Sequence, residues 1–131
     1  NVELEGMVLK PNMVLSGYDC PTQASIEKVA DYTVTVFKRC VPAAVQGIAF
    51  LSGGQSDEHA TAHLNAMNKL LGNSSPWNLT FSYGRALQAP ALKLWNGKDE
   101  NISKAQDAFY KRAKLNSLAT QGAYSDDMEL E

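Results

Sequence analysis

Hydrophobic and polar positions alternate with two periods along this chain. Over residues 1–12, Val2, Leu4, Gly6, Val8 and Lys10 fall on one face of an extended segment, with Met7 and Leu9 on the other. Pro11 biases Lys10 to extended backbone and removes a ladder donor, so the strand ends there. Residues 14–24 carry turn residues, including Ser16-Gly17 and Pro21. From Ser25 the period changes: Ile26, Val29, Ala30, Val34, Phe37 and Val41 predict a helix capped by Ser25 and stopped by Pro42. A second strand is expected over 44–52, buried on both faces as parallel strands are. Ser52-Gly53-Gly54-Gln55 follows, then a helix capped by Ser56 with the stripe Leu64, Met67, Leu70 and Leu71, stopped by Gly72-Asn73. Trp77 to Tyr83 alternates as a third strand. A helix over about 86–95 can carry Pro90 only in its first turn. A last helix starts near Asn101, with Ile102, Ala105, Phe109, Arg112 and Ala113 at helical spacing, and ends at Gly122.

The order β-α-β-α-β-α-α implies an α/β fold with a parallel sheet. Three strands cannot close a barrel, and an open sheet keeps two bare edges. In a parallel sheet all strand tips share one edge, where α/β sites are built. Here the tips carry Lys10, then Ser52, Gly53 and Gly54, then Ser82, Gly84 and Arg85. A lysine closing an apolar face suits carbonyl chemistry through its neutral amine. An unperturbed lysine is only roughly 0.04% neutral at pH 7, so apolar walls or nearby cations must activate it. Gly-rich backbone before a helix start, and an arginine fork at the next helix start, suit a phosphate.

Composition narrows the reading. The chain has 131 residues, 44% hydrophobic and 20% charged, enough for one domain with a core. A net charge of −2 gives no case for nucleic acid or an anionic membrane surface, and no apolar run is long enough for a membrane span. The start at Asn1, directly in a strand, suggests a cut or processed chain. Cys20 and Cys40 lack metal-ligand spacing and read as free thiols of a reducing compartment. His59 and His63, spaced i, i+4, have no third ligand and read as an exposed helix face, so no metal is expected. The segment 125–131, with Asp126, Asp127, Glu129 and Glu131, reads as an acidic, flexible tail beyond a domain of residues 1–124.

Four runs go further. Glu5-Gly6 with Leu9-Lys10-Pro11-Asn12-Met13, Phe50-Leu51-Ser52-Gly53-Gly54-Gln55-Ser56, Phe81-Ser82-Tyr83-Gly84-Arg85-Ala86-Leu87 and Asn116-Ser117-Leu118-Ala119 together resemble class I fructose-bisphosphate aldolase, in that family's order and near its spacing. The resemblance implies the last three βα units and C-terminal helices of a TIM (β/α)8 barrel, incomplete in this chain. It implies a glycolytic lyase that reversibly cleaves fructose 1,6-bisphosphate to dihydroxyacetone phosphate and glyceraldehyde 3-phosphate, without cofactor or metal, as a cytoplasmic homotetramer. Lys10 falls on the Schiff-base lysine. Ser52, Gly53, Gly54, Ser82, Gly84 and Arg85 fall on the phosphate cradle. The family's acid/base residues have no counterpart here, with Glu3 and Glu5 opposite Lys10 by strand parity, and the aromatic residue that ends the family's tail is missing. The chain alone is therefore expected to need the remainder of the barrel and to fold poorly or self-associate. The alternative readings are a module that keeps only sugar-phosphate binding, or a protein-interaction fragment.

Overall fold

A computed structural model describes residues 1–130; Glu131, the last residue of the expected tail, lies outside the described residues. Three parallel strands form one sheet in the order β1 (Val8–Leu9), β2 (Gly47–Phe50), β3 (Asn78–Phe81). Among the described residues four α-helices accompany the sheet: α1 (Ile26–Cys40), α2 (Asp57–Leu71), α3 (Arg85–Trp95) and α4 (Ile102–Thr120). Among the described residues no helix is long and apolar enough to cross a membrane.

The register decides which side of the sheet is covered. Leu9, Ile48 and Leu79 are level across the three strands, and Phe50 is level with Phe81. Ile48 and Phe50 are fully buried, packed in one core with Val34 and Phe37 of α1 and Leu64 and Met67 of α2. Phe37 stacks on Phe50 with ring centroids 5.6 Å apart, and its edge meets Trp77. The opposite side carries Val8, Gly47 and Asn78 at one level. Val8 there is 67% exposed. So the sheet is covered on one face only. The expected double burial of the second strand is corrected: Gly47 and Ala49 are only half-buried, because no element among the described residues packs over them.

The strands are shorter than their hydrophobic runs. The expected strand over 1–12 is reduced to Val8–Leu9, because β2 offers no partner before Gly47. Upstream, Leu4–Gly6 coils into a 3-10 turn, with Met7 N–H donating to the Leu4 carbonyl. The parity that set Glu3 and Glu5 opposite Lys10 therefore breaks, while Val8 and Lys10 still share a face. β2 and β3 each lose residues at both ends to irregular backbone.

The helix caps are as predicted. Ser25 Oγ accepts from Lys28 N–H, and Ser56 Oγ accepts from His59 N–H. Two helix expectations are corrected. Pro90 is the sixth residue of α3, past the first turn, and helix α3 is retained through its packing on α4. In α4, Ile102 and Phe109 are exposed; the buried residues are Arg112, Leu115, Asn116 and Ala119. The early apolar stripe faces outward, and the real seam begins at an arginine.

Arg112 is only 4% exposed. It donates through Nη1 to both carboxylate oxygens of Glu129, at 2.7 and 2.5 Å, and through Nη2 to the Asp57 carbonyl at 3.1 Å and Thr61 Oγ1 at 2.5 Å. Thr61 in turn donates to Asn116 Oδ1 at 3.1 Å. Tyr124 reaches Glu129 Oε1 through its hydroxyl and Asn65 Oδ1 through its backbone N–H. This corrects the expected loose tail: Asp126–Glu129 is a 3-10 helix, held because Glu129 supplies the counter-charge of a buried guanidinium. Replacing Glu129 by Gln is expected to cost about 3 kcal/mol, since it leaves Arg112 short of compensation. Asp127→Asn, at an exposed site, should change stability by less than about 0.5 kcal/mol. Urea unfolding of the two variants checks this, and equal midpoints would remove Glu129 from the core.

Candidate functional site at the strand tips

The ladder continues past the ends of the strands. Leu51 N–H donates to the Pro11 carbonyl at 3.0 Å, and Ser82 N–H to the Phe50 carbonyl at 2.8 Å. These two bonds hold the three tips side by side, so the segments carrying Lys10, Ser52 and Ser82 lie along one edge. Lys10 is exposed, one residue beyond β1. Ser52 is 6% exposed. Ser82, Gly84 and Arg85 are exposed. Among the described residues the ion pairs are Lys98–Glu100 and those of Arg112 with Asp57 and Glu129, so neither Lys10 nor Arg85 is neutralised by a carboxylate.

Backbone geometry explains the glycines. Gln55 N–H donates to the Ser52 carbonyl at 3.0 Å across a tight turn whose central residues, Gly53 and Gly54, both have positive φ, +56° and +80°. An added Cβ at Gly53 would run into the side chain of Asn12, which follows Lys10-Pro11. Asn12 Oδ1 itself accepts from Met13 N–H at 2.9 Å. The lysine segment and the glycine turn are thus fitted to each other. Tyr18, from the loop before α1, donates its hydroxyl to the Gly53 carbonyl. The Gly53 and Gly54 N–H groups make no backbone hydrogen bond among the described residues. At the third tip, Leu87 and Gln88 N–H both take the Gly84 carbonyl. The Arg85 and Ala86 N–H groups are left as helix-start donors. Two sets of free donors and one guanidinium line the same edge, an arrangement suited to an anion.

A family model described as "Glycolytic: Fructose-bisphosphate aldolase class-I" matches residues 1–131. The chain belongs to the class I fructose-bisphosphate aldolases. Among relatives of this aldolase family, the cytosolic fructose-bisphosphate aldolase 4 of Arabidopsis thaliana is 56% identical over 130 residues, 99% of this chain and 33% of that protein. Fructose-bisphosphate aldolase B of Gallus gallus is 59% identical over 124 residues, 95% of this chain and 34% of that protein. A solved structure of the Plasmodium falciparum aldolase, a ternary complex with TRAP and a small-molecule inhibitor, superposes with a TM-score of 0.90 at 52% identity, over 95% of this chain and 35% of that one. The chain spans about a third of the length of the aldolases it matches.

Sequence reasoning missed a cluster beside the glycine turn. Of the histidine pair read as an exposed helix face, His59 is exposed but His63 is only 5% exposed. Its Nδ1 lies 2.6 Å from Gln55 Oε1, and Gln55 Nε2 reaches Met13 Sδ at 3.5 Å. The signal lay in Gln55, a polar residue closing a glycine turn, whose side chain needs a partner once covered. His63 and Gln55 border a cavity of about 360 Å³ that also touches Tyr18, Gly54 and His59. Among the described residues no group of three or more His, Cys, Asp or Glu gathers to hold a metal. Burial pushes the His63 pKa down to about 4, with His59 adding repulsion and Glu27 opposing. His63 is therefore neutral in the fold, while the unfolded chain takes up its proton near pH 6.5. Stability should fall as pH drops from about 6.5 toward 4, by up to about 3 kcal/mol from this group. Urea unfolding in metal-free buffer across that range checks it: His63→Asn should lose this part of the pH slope, and an unchanged slope would refute it.

Proposed function

We propose that this chain carries the Schiff-base lysine and one phosphate cradle of a class I fructose-1,6-bisphosphate aldolase, within the last three βα units of a TIM barrel. The observation that supports the reading is the alignment of Lys10, the Ser52-Gly53-Gly54 turn and Ser82-Tyr83-Gly84-Arg85 along one sheet edge, in a chain of this family. A substrate phosphate takes the N–H groups of Gly53 and Gly54, the hydroxyls of Ser52 and Ser82, and the α3 start at Gly84 with the Arg85 fork. Anchored there, the substrate presents its C2 ketone to Lys10, and the attack becomes effectively intramolecular.

The neutral Lys10 amine adds to C2, and loss of water leaves an iminium. When the C3–C4 bond breaks, its electron pair flows into the iminium and forms an enamine, while the C4 hydroxyl gives up its proton and leaves as glyceraldehyde 3-phosphate. Protonation at C3 and hydrolysis of the imine release dihydroxyacetone phosphate and the free lysine. The proton carriers for these steps belong to the remaining two-thirds of the aldolase length. So do the walls over the bare face on which Lys10 stands. The intact protein is accordingly proposed as a glycolytic homotetramer. Relatives named cytosolic or cytoplasmic support a cytoplasmic setting.

Two measurements test the reading. Borohydride reduction with dihydroxyacetone phosphate should place a covalent adduct on Lys10 by peptide mass spectrometry, lost in Lys10→Met; an adduct on another lysine refutes the assignment. Arg85→Ala should weaken dihydroxyacetone phosphate binding by about tenfold or more, as expected for a charge-assisted contact of about 1.5–3 kcal/mol. Arg39→Ala, on the exposed end of α1, should leave it unchanged, and equal effects in calorimetry would take Arg85 out of the cradle.

A further inference from the structure

The histidine pair of α2 plays no part in the proposed aldol chemistry, yet its surroundings are those of a ligand site. Gln55 Nε2 is turned to Met13 Sδ, so the amide oxygen faces His63 and takes a proton from Nδ1. The other ring nitrogen, Nε2, is then a bare lone pair. It is buried and has no hydrogen-bond partner among the described residues, in a side chain at the edge of the 360 Å³ cavity. A buried acceptor without a donor is rare in folded proteins. An imidazole that gives one N–H to an oxygen acceptor and keeps the other nitrogen free is the arrangement found in metal-binding histidines.

His59 supplies a second nitrogen. It lies one turn earlier on α2, and i, i+4 spacing puts both rings on one helix face. The ring centroids are 6.1 Å apart, with planes tilted by 38°. An ion about 2.1 Å from one nitrogen of each ring stands roughly 3.2 Å from each centroid, so tetrahedral binding asks the two rings to close by a little under about 1 Å. His59 is exposed, so its ring can turn to meet an ion held by the fixed His63. The start of a helix repels cations, but Asp57 and Glu58 stand in that first turn, and Glu27 of α1 lies close enough to act on His63.

We infer that His59 and His63 form a two-imidazole chelate for Zn²⁺, with Gln55 orienting His63 and water filling the remaining positions. Imidazole ligands select Zn²⁺ and Cu²⁺ over Mg²⁺ and Ca²⁺. This site adjoins the strand-tip cradle at the Gly54–Gln55 turn, but it uses none of the cradle's side chains and its metal binding can be read without aldolase activity.

The test uses the full chain, stripped with a chelator, with Cys20 and Cys40 replaced by Ser to remove thiolate binding. Equilibrium dialysis should find one Zn²⁺ per chain. His59→Ala and His63→Asn should each weaken binding by at least about tenfold, and Gln55→Leu by about tenfold through the lost orientation of His63. With Cu²⁺ as probe, electron paramagnetic resonance should show splitting from two nitrogen ligands, reduced to one in His59→Ala. His59 is exposed, so that variant keeps its fold, and circular dichroism verifies this for each protein. Folded protein that takes up no Zn²⁺ overturns the inference. So does binding that survives His59→Ala unchanged, or a single-nitrogen signal in the parent chain; the buried nitrogen of His63 would then be satisfied by water alone.

Discussion

One layer of packing carries this chain: the apolar side of β2 and β3 laid against α1 and α2. Ile48 and Phe50 vanish from solvent there, and Phe37 stacks on Phe50. That contact fixes the register of the sheet, because a one-residue slip would turn both side chains onto the bare face. The register in turn sets which residues reach the tips together. Lys10, the Gly53–Gly54 turn and Arg85 are placed by a core that none of them joins. Their roles depend on a sheet held from one side.

Arg112 is the second organising group. Its guanidinium reaches the start of α2, the middle of α4 through the Thr61–Asn116 bond, and the last 3-10 turn. A buried charge is tolerated when it is compensated: four oxygen acceptors take the Nη1 and Nη2 donors, and Nε faces the Asp57 carboxylate at 3.7 Å, an ion pair beyond hydrogen-bond distance. The same α2 start follows directly from the Ser52–Gln55 turn. The far end of the chain is thus tied to the helix that opens just after the glycine turn.

Most of the architecture could be read from residues alone. The helices over 26–40 and 57–71 have serine caps, period-3.6 stripes and clear stops, and these local signals agree with the packing. The strand tips were legible because Pro11, Gly53-Gly54 and Gly84 mark where strands must end. What escaped were features set by partners distant in sequence. The first strand shrank because β2 has nothing to pair with before Gly47. The stripe Ile102–Phe109 looked like core but faces out, since the seam of α4 is set by Arg112, Leu115 and Ala119. The tail looked solvated because composition cannot show that Glu129 meets a buried arginine. His63 looked exposed because an i, i+4 pair does not reveal which member turns inward. The site residues came from the family's motifs read along the strand tips; spacing alone gave only their convergence.

The brevity of β1 has a mechanical side. Two residues at a sheet edge, bonded to β2 alone, form the part of this sheet that opens at the lowest free energy, well before the α1–β2–α2 layer loosens. Lys10 rides on that edge. Its position relative to the glycine turn is set by the Pro11–Leu51 bond and by Asn12 wedged against Gly53, so the Lys10 amine is attached to the softest seam of a rigid slab. Any element that adds a strand along β1 would stiffen the amine without touching it.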